Sequence, residues 1–230
     1  MKTMISCSLA GLALLANVAN AGGMEGYGVP SNVSLYGGAS AGMANQEGAC
    51  SAANASSNCD DSAGGYKVFV GSRVTPQGNG LVATPTGVMP SSSLPTLGVE
   101  AGYLDFGAST ADGKAGRADI FDANFSSDLS ASYLAGVGYV PVAPRTELLG
   151  KAGAAFWKQN GKREVLQDTD LNIETSNSGV GLLLGGGAQY KVSDNLSVRG
   201  EYEHVFGTAS DTSYESDAGM YSIGAVFSTF

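Results

Sequence analysis

The chain has 230 residues, with 12 Lys and Arg against 21 Asp and Glu and a formal net charge of −9. That length suits one domain, and the acidic balance, with no basic patch to neutralise phosphates, excludes nucleic acid as a partner. No apolar run reaches the length of a bilayer-spanning helix, which excludes a helical membrane protein.

The chain opens on "MKTMISCSLAGLALLANVANA", residues 1–21. Lys2, the apolar run from Leu9 to Ala16, and small Ala19 and Ala21 around Asn20 have the layout of a secretory signal, with cleavage expected after Ala21. Its loss removes Lys2 and Cys7 and no acid, which leaves 11 basic and 21 acidic residues and a net charge of −10. Cys50 and Cys59 remain, in "CSAANASSNCDD". An even pair in an exported chain predicts a disulfide that closes a small loop. Asp60 and Asp61 are the only acidic neighbours, too few for a metal site, so none is expected.

Eight stretches of alternating character follow, near 33–44, 66–75, 96–107, 131–141, 146–157, 179–192, 196–207 and 219–230. In 96–107, Leu97, Val99, Ala101 and Tyr103 share a face, and Gly98, Glu100, Gly102 and Leu104 share the other. In 148–157, Leu148, Ala152, Ala154 and Phe156 oppose Leu149, Lys151, Gly153 and Trp157. In 196–203, Val198, Gly200 and Tyr202 oppose Arg199, Glu201 and Glu203. Period-2 alternation means strand. A soluble barrel packs its bulky apolar face inside, but here the charges share a face with the glycines. Small residues and a few charges suit a narrow lumen, and continuous apolar faces suit lipid. The predicted fold is all-β, an eight-stranded antiparallel up-and-down transmembrane β-barrel over residues 22–230.

Connection lengths agree. Long polar gaps near 45–65, 108–130, 158–178 and 208–218 alternate with short gaps at 142–145 and 193–195. Long outer loops and tight periplasmic turns are the outer-membrane pattern. Residues 76–95 break it. Pro76, Pro85, Pro90 and Pro95 make a poor membrane strand, and the segment reads as a periplasmic insertion.

The strings "GVEAGYLDFG" (98–107), "GVGYVPV" (136–142), "LLGKAGAAFW" (148–157), "GGGAQYKVSDNLSVRGEY" (185–202) and "YSIGAVFSTF" (221–230) resemble the OmpA-like eight-stranded outer-membrane barrels, close to the opacity-protein group. The resemblance implies a location in the Gram-negative outer membrane and a lumen network of acidic and basic side chains. By matching position its members here are Glu100, Lys151, Arg199 and Glu201, with Gln189 where the family often has Glu and Gly136 where it often has Lys. Both departures imply a smaller network. Larger members carry a periplasmic domain that grips peptidoglycan, an activity not expected of a chain that stops at Phe230. The terminal Phe230 resembles the signal read by the outer-membrane assembly machinery. Val226 and Phe230 share one phase while Tyr221, Ile223 and Phe227 hold the other, which calls for a bulge in the last strand or a periplasmic ending.

Catalysis finds little support. The single His204 lies in the lipid-facing phase with Tyr202, near the outer end of its strand, and Phe206 stands where a serine would be needed. Asp60, Asp61, Asp119, Asp122, Asp168, Asp170, Asp211 and Asp217 fall in the long gaps without the spacing of a calcium loop. Lys158, Lys162 and Arg163 follow Phe156 and Trp157, an order that suits a membrane interface. "GLLLGGGAQY" lacks the Gly-Lys-Ser/Thr end of a phosphate loop. The expected function is structural and surface-interacting, non-enzymatic and without a cofactor, in a monomer whose partners are outer-membrane lipids and lipopolysaccharide, the assembly machinery and an unidentified surface ligand. A narrow diffusion channel is the alternative, and a lipid-modifying hydrolase a more distant one. Glu203, nearer the outer mouth, is expected to matter less than Arg199.

Overall fold

The computed structural model describes residues 33–46, 59–60, 62–74, 81–84, 87–90, 94–115, 121–165, 173–208 and 217–229. The predicted signal segment, Cys50 and Phe230 lie outside them, and with them the cleavage site, the Cys50–Cys59 pair and the terminal assembly signal.

The strands are β1 (Val33–Gln46), β2 (Cys59–Asp60), β3 (Ser62–Val74), β4 (Leu81–Thr84), β5 (Gly87–Pro90), β6 (Thr96–Ala115), β7 (Phe121–Ala143), β8 (Thr146–Val165), β9 (Ile173–Lys191), β10 (Leu196–Phe206) and β11 (Ala218–Ser228). Eight of them, β1, β3 and β6 to β11, pair antiparallel with their neighbours in turn, and β6 pairs with β7 to close the ring. The remaining three are accessory. β2 adds two residues to β6, and β4 and β5 form a separate hairpin inside the inserted segment 76–95.

The side-chain alternation sorts itself as membrane physics requires. Val70, Leu97, Val99, Leu134, Leu182, Val198, Tyr221 and Ile223 stand exposed on the outer wall, where acyl chains solvate them. The inner set is buried. β11 keeps its alternation and pairs with β1 without a slip from Tyr36↔Ser228 to Gln46↔Ala218. The final strand therefore has no bulge through Ser228, with Val226 inside and Phe227 outside.

At the short-turn end, Lys191 N–H donates to Arg145 carbonyl at 2.8 Å and Ser228 N–H to Asn195 carbonyl at 2.9 Å, which tie adjacent staves together. The other end is longer than the sequence pattern suggested. β3 leaves β6 at Asp105, yet β6 and β7 stay paired as far as Ala115↔Phe121. Likewise β8 and β9 pair out to Arg163↔Ile173, while β10 meets β9 only from Leu182 inward. The expected outer loops 108–130 and 158–178 are thus mostly strand, two β-ribbons joined edge to edge by β7–β8 pairing out to Ala123↔Val165 and standing beyond the ring. A bulge between Asp105 and Ala108 marks the step, with Gly107 at φ 71°. That left-handed value favours glycine, and it is held by Gly107 N–H donating to Asp105 Oδ1 at 2.8 Å and Gln46 Nε2 donating to the Gly107 carbonyl at 3.1 Å.

Candidate functional site

Eight strands leave an interior that side chains can fill, and here they fill it in tiers. At mid-height, six charged side chains converge from four strands: Lys67 on β3, Glu100 on β6, Lys151 on β8, and Arg199, Glu201 and Glu203 on β10. All are buried. Lys151 Nζ touches three carboxylates, Glu100 Oε1 at 2.7 Å, Glu201 Oε1 at 2.7 Å and Glu203 Oε1 at 2.8 Å. Lys67 Nζ pairs with Glu201 Oε2 and, at 2.9 Å, with Glu203 Oε2. Arg199 Nη1 pairs with Glu100 Oε2 at 2.8 Å, its Nε donates to Gln189 Oε1 at 2.8 Å, and its Nη2 donates to Tyr139 Oη at 3.2 Å. Glu100 also accepts from Tyr36 Oη at 3.1 Å and Tyr133 Oη at 2.7 Å. Buried charges persist when paired and hydrogen-bonded, and three acids against three bases leave the layer neutral.

The glycines make this packing possible. A Cβ on Gly185 would lie 3.0 Å from Lys151 Cγ and 3.1 Å from Glu203 Cγ, and one on Gly71 would lie 2.4 Å from the Tyr36 ring. Side chains there would hold the ion pairs apart. Oxygen atoms of Glu100, Glu201 and Glu203 come within 4.8 Å of one another, close enough to grip a metal ion. Lys67, Lys151 and Arg199 already interleave them, and a cation added to that set would meet positive charge.

Outward from the charged layer the lumen turns apolar. Leu104, Phe106, Leu183, Val205 and Met220 are fully buried, with Leu129 and Trp157 nearly so. Towards the short turns the lumen opens into a cavity of about 850 Å³. There Arg73 grips Glu147 through two bonds, Nη1 to Oε2 at 2.8 Å and Nη2 to Oε1 at 2.7 Å, donates from Nε to Thr96 Oγ1 at 2.6 Å, and lies 4.4 Å from the Tyr139 ring centroid.

A closed antiparallel eight-strand ring with an apolar outer wall and a buried charged interior is the architecture of a known group, and a family model for the OmpA-like transmembrane domain matches residues 30–230. The chain belongs to the OmpA-like transmembrane domain family. An OmpA-like barrel of this kind resides in the Gram-negative outer membrane. No curated protein matches the sequence. Among solved structures it is similar to Ail, the attachment invasion locus protein of Yersinia pestis, at 14% identity, 85% of this chain, 97% of that chain and a TM-score of 0.43. It is similar to Neisserial surface protein A at 11% identity, 84% and 96% coverage and a TM-score of 0.42. It is also similar to a major outer membrane protein from Thermus thermophilus at 15% identity, 85% and 99% coverage and a TM-score of 0.45.

Of the residues the sequence singled out in this OmpA-like barrel, Glu100, Lys151, Gln189, Arg199 and Glu201 come together in the lumen. Three readings need correction. Glu203 is no mouth residue, because it is fully buried and bound by both lysines. Gly136 is not a vacant lumen position, because it faces outward while its neighbours Ala135 and Val137 face in. The network is not smaller for lack of a second lysine, because Lys67 supplies one from β3. Its signal was legible in "YKVFV", where a lone cation alternates with outward Tyr66, Val68 and Val70.

His204 is engaged on both ring nitrogens, Nδ1 with Tyr202 Oη at 3.1 Å and Nε2 with Asp217 Oδ2 at 3.2 Å. Asp217 Oδ1 also accepts from Gly207 N–H at 3.0 Å. This cluster ties the two ends of the last outer connection to each other.

Proposed function

We propose that the chain is a non-catalytic, non-conducting outer-membrane barrel that anchors β-ribbons at the cell surface. One observation carries this reading, namely the double closure of the lumen. A permeating ion would have to displace the neutral charged layer and then cross a stack of Leu104, Phe106, Leu183, Val205, Met220 and Trp157 side chains. Removing one ion pair opens the first barrier and leaves the second intact. The function then resides outside the ring, where the paired extensions of β6 with β7 and of β8 with β9 hold polar side chains away from the membrane. Outer-membrane lipids, including lipopolysaccharide, solvate the wall, and the assembly machinery inserts it. The ring completes its own hydrogen bonding, so a monomer suffices.

Planar-bilayer recording tests the reading. The folded wild-type barrel and Arg199→Ala are both expected to give no steady ohmic conductance above the bilayer leak. Reproducible unitary conductance from the wild type would overturn it in favour of a narrow diffusion channel.

A further inference from the structure

We infer that the cavity at the short-turn end of the lumen is an anion-binding cup, taking small periplasmic solutes that carry a carboxylate or phosphate group. It is a blind cup. The charged layer and apolar stack close it outward, and the opposite end meets the periplasm because short turns face that side. Its volume of about 850 Å³ falls within the usual range of small-molecule sites, roughly 300–1,000 Å³.

The charge distribution sets the ligand chemistry. Arg73, Arg145, Lys191 and Arg199 line the cup against Glu147 and Asp194. One third of the chain's 12 basic side chains thus gather here, although acids outnumber bases overall. The floor is built rather than incidental. Arg199, 2% exposed, is fixed from behind by Glu100, from the side by Gln189 Oε1 and by Tyr139 Oη. A guanidinium carries five N–H donors; Nη1 serves Glu100 and lies 4.0 Å from Glu201 Oε1, and Nη2 gives one to Tyr139 and keeps one for a ligand. Gln189 is turned so that its oxygen serves Arg199, and its Nε2 donates to no described residue. Arg73 is pinned by Glu147 and Thr96 with its plane over Tyr139, which leaves it preorganised on the wall. Arg145 stands on the turn at the rim. Arg73 is paired with Glu147, Lys191 with Asp194 and Arg199 with Glu100, so the surplus positive charge comes from Arg145, and the remaining N–H groups of Arg199, Arg73 and Gln189 offer a carboxylate or phosphate group charge-assisted hydrogen bonds.

The test is ¹⁵N NMR of the folded barrel in lipid nanodiscs, titrated at fixed ionic strength with inorganic pyrophosphate and, separately, with citrate. The Gln189 side-chain amide and Arg199 Nε–H signals are expected to shift saturably with at least one probe, while the Leu104 amide stays put. Saturation by pyrophosphate alone assigns the cup to phosphate-bearing solutes, and saturation by citrate alone to carboxylate-bearing ones. Gln189→Glu keeps the acceptor for Arg199 Nε and replaces the donor with a negative charge, so it should weaken binding by about tenfold or more, the worth of a hydrogen bond to a charged group. Arg145→Ala, on an exposed turn where folding is not at stake, should weaken it less. No saturable shift with either probe, or equal binding by Gln189→Glu, overturns the proposal.

Discussion

The two halves of the lumen close the same tube by opposite chemistry. The inner half uses six charges whose mutual neutrality depends on every member. The outer half uses Leu104, Phe106, Leu183, Val205, Met220 and Trp157, which keep the tube sealed when one is truncated, because the seal is the sum of many small dispersion contacts. The contrast separates specificity from sealing. Ion pairs fix which strand faces which, since a slip of one residue would carry Lys67 or Glu203 to the lipid wall. The apolar stack needs only volume.

Removing a hub charge should bring the largest penalty. Lys151→Ala leaves Glu100, Glu201 and Glu203 with Lys67 and Arg199 alone, and loss of a buried partner costs about 3–5 kcal/mol. Urea unfolding of the refolded barrel should show that loss, and Glu203→Ala should rank with Arg199→Ala rather than far below it. A negligible effect for Lys151→Ala would mean that water already screens the layer. In the apolar half, Leu104→Ala is expected to cost about 2–5 kcal/mol through lost contacts and a cavity, without conductance in the same bilayer assay. The single Trp157 reports this directly. Its emission should be blue-shifted and inaccessible to iodide in the wild type, and iodide quenching there would mean that the outer half is wet.

The outer wall gives the next contrast. Ile223 is exposed to lipid opposite Ala41 and Gly200, near the middle of the ring. Ile223→Arg should cost about 2–4 kcal/mol, the penalty for a midplane cation, visible as reduced folding yield into vesicles. Above the membrane the same chemistry becomes cheap. Lys162 and Glu174 pair at 3.3 Å on the β8–β9 ribbon but are largely exposed. Lys162→Ala should therefore change stability by only about 0.2–1 kcal/mol. A larger effect would show the ribbon pairing to be integral to the ring.

The ring was legible in the sequence because lipid imposes a strict rule. Every second residue of Leu97–Tyr103 or Val180–Tyr190 must be apolar or small, and that period survives without any contact information. The ribbons were not legible for the complementary reason. In "FDANFSSDLS" (121–130) polar residues fall in both phases, Asp122, Asn124, Ser126, Asp128 and Ser130 in one and Ser127 in the other, so no continuous apolar face marks the strand and it reads as a loop. The lumen was legible by phase but not by height. Glu100, Lys151, Arg199 and Glu201 stand out as charges among glycines, and Glu203 shares their phase, whereas Lys67 in "YKVFV" was missed beside bulky Tyr66, Val68 and Phe69. What the sequence could not convey was how far the ring continues past Glu203, and hence that a charge read as near the mouth sits at the centre. Leu104 and Trp157 fell in the lumen phase, but that they stack with Leu183, Val205 and Met220 into one apolar tier was hidden, since phase along one strand does not give height across several. Tyr36, Tyr133 and Tyr139 were missed likewise, because tyrosine suits both sides of a membrane wall.

The seam between β1 and β11 joins the two ends of the chain, Tyr36 opposite Ser228. Contacts of such sequence separation form slowly, because the loop-closure entropy is lost before they contribute anything. Until that seam zips, Lys67 on β3 cannot reach Glu201 and Glu203 on β10 from across the opening. Closing the seam therefore completes the charged layer by adding its third base. Reopening the seam must strip both Lys67 pairs, so the charged layer itself resists the parting of the chain's first and last ring strands.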